Sequence, residues 1–280
     1  MTAPVPETAP LVDGYDTLLV DLDGVVYLAD DPIPGAAEAL DKVRADGRRV
    51  VFVTNNASRT PEQVAAALQA MGVHADPEEV LTSSMAAADE LARMLPAGAP
   101  VLVVGGDGLR RPVAAAGLQP VAKADDGPVA VVQGFSPDLT WALLAEAAVA
   151  LRRPDVPWIA TNRDATLPSP RGPLPGNGAM IQAVVLATGR EPTVIGKPEP
   201  QLLQAATRMT GAKQPLVVGD RLDTDIAGAN RAGLPSLLVL SGVSRAADLR
   251  AAPPEQRPTY VGDDLSAVLK PGVAYGEGHQ

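Results

Sequence analysis

The 280-residue sequence contains no cysteine. Disulfides, thiolate-ligated zinc and a cysteine nucleophile are thereby excluded. Histidine is nearly as scarce: only His74, in an expected helix-to-loop turn, and His279, near the end of the sequence, are present. Neither has the neighbours of a serine triad. Aromatic residues make up 3% of the chain and hydrophobic residues 46%, so the core must be built from Ala, Val and Leu. Positive charge is in deficit, with 23 Lys and Arg against 33 Asp and Glu and a net charge of −10, and no basic stripe offsets it. A phosphate backbone or an acidic lipid surface would be repelled, so neither nucleic acid nor a membrane is an expected partner. No apolar run approaches the ~20 residues of a membrane span. The opening MTAPVPETAPLVD lacks the basic start and apolar stretch of a secretory signal. The expected location is the cytoplasm.

What is present is an alternation. The apolar runs TLLVDLD (17–23), RVVFVTNN (49–56), VLVVGG (101–106), VAVVQG (129–134), PWIATN (157–162), PLVVGD (215–220) and PSLLVL (235–240) read as strands buried on both faces. Between them GAAEALDKVRADG (35–47), TPEQVAAALQAMG (60–72) and GAMIQAVVLATG (178–189) read as helices, with Pro61 in a first turn and Gly47 and Gly72 at C′ positions. The expected class is therefore α/β, a Rossmann-like doubly wound parallel sheet. After DPEEVLTSS (76–84) comes a self-contained run of βα units that ends at the proline- and glycine-rich loop LPSPRGPLPGNG (167–178). This texture predicts an α/β domain, 83–190, inserted into a discontinuous core of 13–82 and 191–270, with flexible tails at 1–12 and 271–280. A single continuous sheet is the alternative. Apolar helices of the inserted domain are readable equally as core or as the surface of a homodimer.

Four strand ends carry polar groups. Asp21 and Asp23 close the first strand, Thr54 and Asn55 the second, Lys197 follows VIG before a helix expected to begin at Pro198, and Asp220, Asp223 and Asp225 follow PLVVG, with Asp223 in N-cap reach. Each has an ordinary structural explanation, in caps, turns or solvated charge. The first pair is hardest to explain that way, because two carboxylates ending a buried strand repel and lose hydration unless a cation joins them. Oxygen ligands plus water suit octahedral Mg²⁺. A metal, a lysine, and hydroxyl and N–H donors at one place would hold a phosphoryl group. One acid could then attack phosphorus while the other handles protons.

The motifs DLDGVV, VFVTNNAS, GKP and GDRLDTD, in this order, resemble the four motifs of the haloacid-dehalogenase-like phosphatases. The likeness is to the p-nitrophenyl phosphatase-like subclass, which has a large α/β cap between the second and third motifs, and it extends over about 14–265. Within it, VTNNASR, ATLPSPRGPLPGNG (165–178) and VVGDRLDTDI are similar to actinobacterial glycerol-3-phosphate phosphatases. The resemblance implies Asp21 as nucleophile, Asp23 as general acid/base, and Lys197 as the group stabilising Asp21 and the phosphoryl charge. It implies Thr54 and the Asn55 backbone as phosphoryl holders, with Asn56 nearby. Mg²⁺ would be bound by Asp21, the Asp23 backbone carbonyl and Asp220, with Asp225 orienting coordinated water. The implied substrate is a small phosphorylated metabolite, first glycerol 3-phosphate, otherwise phosphoglycolate, a sugar phosphate or a nucleotide. A noncatalytic phospholigand-binding module on the same fold is the different-class alternative.

The loop 167–178 is the candidate for substrate contact from the inserted domain. Arg163, which precedes it, is either a substrate contact or part of a salt-bridged surface. VVGGDGLRR (103–111) matches a dinucleotide fingerprint only at Gly106 and Gly108, since Arg111 takes the third glycine position. GREPTVIGKP fails as a P-loop, because its glycine spacing is wrong and Pro198 replaces Ser/Thr.

Overall fold

A computed structural model describes residues 8–29, 31–167 and 171–276. The chain divides into two compact units, one made of the described parts of 1–54, 61–81 and 197–280, the other of 55–60 and 82–196. The fold class is α/β as expected.

The first unit is built on a seven-stranded sheet. Its order is Val273–Ala274, Tyr260–Gly262, Ser236–Val239, Pro215–Gly219, Thr17–Val20, Arg49–Thr54 and Val80–Thr82. The Thr17–Val20 strand pairs parallel with Pro215–Gly219 and with Arg49–Thr54. Every residue of the first two is buried, as a strand covered on both faces requires. The helix Ala36–Ala45 turns Ala36, Ala39, Leu40 and Val43 inward, a spacing of three and four that places them on one face. They join Leu18, Val20, Phe52, Leu216 and Val218 in one core cluster, along with Val64, Ala65 and Leu68 of the helix Pro61–Ala70. Pro61 is the first residue of its helix, as read from sequence. A smaller cluster holds Leu222, Ile226, Leu238, Leu249 and Val261.

The second unit carries a five-stranded parallel sheet ordered Thr193–Val194, Trp158–Ala160, Ala130–Gln133, Pro100–Val104 and Gln119–Val121. Leu102, Val104, Val131, Trp158 and Ala160 of that sheet cluster with Ala147, Ala150, Ile181 and Val184 of the helices Trp141–Ala150 and Asn177–Thr188. The same two helices leave Trp141 and Leu186 82% and 86% exposed. The proline-rich loop contains a short antiparallel ribbon, Thr166–Leu167 with Leu174–Pro175. Its residues 168–170 lie outside the described residues. Among the described residues no helix is long and apolar enough to cross a membrane.

Several expectations need correction. The end segments expected as flexible tails are packed where they are described, residues 1–7 and 277–280 lying outside the described residues. Leu11 and Val12 are 1% exposed, the Leu11 N–H donates to the Lys270 carbonyl at 2.7 Å, and Val273–Ala274 forms an antiparallel edge strand. Their prolines suggested a loose tail, but Pro10 and Pro271 face each other in a bridge that seats both segments on the sheet. Residues 191–196 fall with the second unit, because Thr193–Val194 extends its sheet. The helix after Lys197 starts at Gln201 rather than Pro198. Pro200 disfavours helical geometry at Glu199, which delays the start.

Leu11→Ala tests the ordered N-terminal segment. A buried leucine truncated to alanine costs about 2–5 kcal/mol, so chemical denaturation should show a loss of that order. A tail with no packing role would show none.

Candidate active site

Parallel strands deliver their carboxyl ends to one edge of the sheet, where ligands of open α/β sheets bind. Val20 stands in register with Val218 on one side and Phe52 on the other. Asp21 leaves the sheet one residue later, its N–H still donating to the Val218 carbonyl at 2.9 Å. Asp220 follows Gly219 at the end of the adjacent strand, and Thr54 ends the strand on the other side.

Lys197 is the pivot of this edge. Its Nζ lies 2.5 Å from Asp21 Oδ1 and 2.7 Å from Asp225 Oδ1, and donates to the Val53 carbonyl at 3.1 Å. The lysine side chain is 3% exposed. Burial alone would lower its pKa, but Asp21 and Asp225 overcome that and raise it, so the group remains an ammonium. Burial pushes the Asp21 carboxyl up, Lys197 pulls it back, and Asp225 pushes it up again.

Asp220 is 1% exposed. Its Oδ2 accepts from the Val243 N–H at 2.6 Å, and its Oδ1 is buried without a hydrogen-bond partner. Burial first, then the charge on Asp225, raises its pKa to about 6. The backbone comes close on two sides. Gly24, at φ +82°, and Gly242 each lie where a Cβ would collide with the Asp220 carboxyl. Glycine is needed at Gly24 for both reasons, which accounts for its place directly after Asp23. The Ser241 hydroxyl donates to the Gly24 carbonyl at 2.7 Å and ties the two segments together.

Asp225 is also 1% exposed, and both its oxygens are engaged. Oδ1 meets Lys197 and Oδ2 accepts from the Arg221 N–H at 3.1 Å. Asp223 does not cap a helix. Its two oxygens accept from Arg221 Nε and Nη2 at 3.0 and 2.8 Å, and this pairing lowers its pKa. Asp23 lies at the exposed side of the cluster, where partial burial raises its carboxyl pKa against the pull of the Ala29 N–H.

The structure thus brings together Asp21, Lys197, Asp220 and Asp225 within the first unit. Asn55, Asn56 and Arg163 belong to the second unit. Asn56 Oδ1 accepts from both the N–H and the hydroxyl of Ser58, at 2.8 and 2.7 Å, so that oxygen fixes a turn. Arg163 forms an ion pair with Glu191, which makes it part of a braced surface. The Val53 carbonyl and the Val243 N–H were not foreseen. Main-chain partners have no signature in residue identity, and only the small-residue run SGVS (241–244) after a strand hinted at the second.

One carboxylate oxygen from each of Asp21, Asp220 and Asp225 lies within 4.8 Å of the others. The set is all oxygen, and Asp220 Oδ1 is a buried acceptor lacking a partner. Both features fit a hard divalent cation.

Comparison with known proteins agrees with this geometry. A haloacid dehalogenase-like hydrolase family profile matches residues 18–119, and a second HAD-hydrolase-like profile matches 194–268. The chain is 51% identical over 254 residues to the D-glycerol 3-phosphate phosphatase of Mycobacterium tuberculosis, covering 91% of this chain and 71% of that protein. It is 39% identical over 257 residues to an acid sugar phosphatase of Staphylococcus aureus, covering 91% and 97%. A crystal structure of the M. tuberculosis glycerol phosphate phosphatase in complex with magnesium superposes with a TM-score of 0.90 at 50% identity, covering 93% of this chain and 79% of that one. The p-nitrophenyl phosphatase from Archaeoglobus fulgidus gives 0.83 at 32%, covering 91% and 98%. With relatives this similar along nearly its whole length, and with the strand-end acids in place, the chain belongs to the haloacid dehalogenase-like hydrolases.

Proposed function

We propose that this chain is a Mg²⁺-dependent phosphomonoesterase that hydrolyses a small phosphorylated metabolite through a phospho-Asp21 intermediate, with glycerol 3-phosphate as its first substrate. The observation that carries the reading is the Asp21 carboxylate held by Lys197 beside the unpartnered Asp220 Oδ1. The substrate choice is supported by the 51% identical relative that bears that activity in its name. In this reading the first unit is the catalytic core and the second an inserted cap. A cysteine-free enzyme for a phosphorylated metabolite fits the cytoplasm.

The residues divide the work as follows. An Asp21 oxygen attacks phosphorus, forming an acyl phosphate as the ester oxygen leaves. Asp23, with its raised pKa, gives its proton to the departing alkoxide. The Asp23 carboxylate then takes a proton from water, which attacks phosphorus, releases inorganic phosphate and restores Asp21. Lys197 keeps Asp21 oriented and offsets charge gathered on the phosphoryl oxygens. The Thr54 hydroxyl and the Asn55 N–H hold those oxygens. Magnesium, held by Asp21, Asp220 and the Asp23 carbonyl, would neutralise phosphoryl charge. Asp225 is assigned to orienting its water, because both Asp225 oxygens already have partners whereas Asp220 Oδ1 has none.

Phosphate release should be measured over glycerol 3-phosphate, phosphoglycolate, a sugar phosphate and a nucleotide, with Mg²⁺ and with chelator. Selective turnover that requires Mg²⁺ and falls at least about a thousandfold in Asp21→Asn is expected. Folded protein that turns over no ester would overturn the assignment and favour the noncatalytic module.

Asp220→Asn should abolish the rise in Tm that Mg²⁺ gives the wild type. Its metal-free Tm should equal or exceed wild type, because a buried, partly unpartnered charge has been removed. A retained Mg²⁺ response would take Asp220 out of the metal site.

A homodimer through the cap is part of the same reading, supported by the exposure of Trp141 and Leu186. Light scattering should give twice the 28.7 kDa chain mass; a monomer there removes the dimer.

A further inference from the structure

We propose that Asn162, assisted by Ser83, is a positioning residue for phosphoryl binding, because it fixes the residue that follows Thr54. The inference rests on the reading above, in which Thr54 and the Asn55 N–H hold the phosphoryl group.

Asn55 follows Thr54 directly in the chain, yet its carbonyl is tied down within the second unit. It accepts from Ser83 Oγ at 2.7 Å and from Asn162 Nδ2 at 2.8 Å. Two bonds occupy both lone pairs of that oxygen. The Asn55 N–H and C=O flank one α-carbon, so anchoring the carbonyl restricts the residue whose N–H is offered to phosphate. Ser83 and Asn162 are 0% and 4% exposed, so water cannot readily replace either donor.

Asn162 is itself clamped. Its Oδ1 accepts from the Asp164 N–H at 3.2 Å, and its carbonyl accepts from Asn177 Nδ2 at 2.8 Å. Asn177 is the first residue of the helix Asn177–Thr188 and is 1% exposed. The relay Asn177, Asn162, Asn55 therefore runs from a rigid helix start to the residue after Thr54. A second contact converges there. A Cβ on Gly196, the residue before Lys197, would lie 2.6 Å from Asn55 Oδ1 and would collide with the Thr161 carbonyl. The end of the strand Trp158–Ala160 thus packs against the chain neighbours of both Thr54 and Lys197.

The competing explanation is that these are satisfied buried hydrogen bonds with no role beyond stability. Ser84 separates the two. Its hydroxyl donates to the Ala57 carbonyl at 3.1 Å, a bond buried at both ends and two residues farther from Thr54. Asn162→Ala, Ser83→Ala, their double variant and Ser84→Ala should be compared for kcat, for competitive inhibition by inorganic phosphate, and for the Mg²⁺-induced Tm shift. Asn162→Ala should lose between about tenfold and a hundredfold in kcat, the cost of a small misplacement. It should also weaken phosphate inhibition and keep its Mg²⁺ response. Ser83→Ala should move the same way by less. The double variant should fall short of the product of the singles, because both donors serve one oxygen. Ser84→Ala should lose comparable stability with kcat and phosphate inhibition near wild type. Asn162→Ala with wild-type kcat and phosphate inhibition would overturn the proposal, as would a Ser84→Ala that falls equally far. If Asn162→Ala does not fold, Ser83→Ala, which removes one hydroxyl, decides on the same readouts. A wild type without turnover would overturn the phosphatase reading and this inference together, whereas an active wild type with an indifferent Asn162→Ala overturns this inference alone.

Discussion

Asp21 and Asp220, at the ends of two adjacent buried strands, are packed with Asp225 of the helical turn Leu222–Ile226, and one ammonium, Lys197, stands among the three carboxylates. The formal sum, three negative charges and one positive, is −2. Burial makes that residue of charge costly, which is why the Asp21 and Asp220 carboxyls are pushed up while Lys197 is held charged. Two remedies exist for such a cluster: take up protons or take up a dication. The donor set favours the second, since an unpartnered buried carboxylate oxygen on Asp220 is what a hard cation would fill and what a folded protein otherwise avoids. Gly24 and Gly242 close the space around Asp220, and the Val243 N–H fixes the oxygen that remains. The surrounding chain is thus shaped to keep this charge cluster in place.

The sheet supplies the convergence. Because Thr17–Val20 pairs in parallel with both Pro215–Gly219 and Arg49–Thr54, segments nearly two hundred residues apart in sequence end at one edge. Asp21, Asp220 and Thr54 thereby stand at the carboxyl ends of three adjacent strands. The positions of the acids follow from the pairing of Val20 with Val218 and Phe52.

Much of this was readable from residue order. The seven long apolar runs are strands, and Asp21 and Asp220, each directly after a buried strand, do meet, joined by Asp225 from the helical turn Leu222–Ile226 and by Lys197. The short strands Gln119–Val121 and Thr193–Val194 were missed, since two or three residues carry no measurable periodicity. Leu11 and Val12 follow a proline-rich stretch that points to a loose tail, yet both join the core cluster and the Leu11 N–H donates to the distant Lys270 carbonyl, a placement that local sequence cannot reveal. Arg163, a candidate for substrate contact, pairs with Glu191, and Asp223, expected in N-cap reach, pairs with Arg221. Main-chain partners such as the Val53 carbonyl were invisible for a simpler reason: every residue has one.

The least foreseeable feature is where the two units part. The boundaries fall between Thr54 and Asn55 and between Gly196 and Lys197, so Thr54 is the last residue of one segment of the first unit and Lys197 the first residue of another. On the far side of each boundary the chain is held firmly, Asn55 through its carbonyl and Gly196 by close packing against Asn55 and Thr161. The segment 55–60, only six residues long, belongs with a unit whose remaining residues begin more than twenty positions later because the Asn55 carbonyl accepts from Ser83 and Asn162 and the Ala57 carbonyl from Ser84.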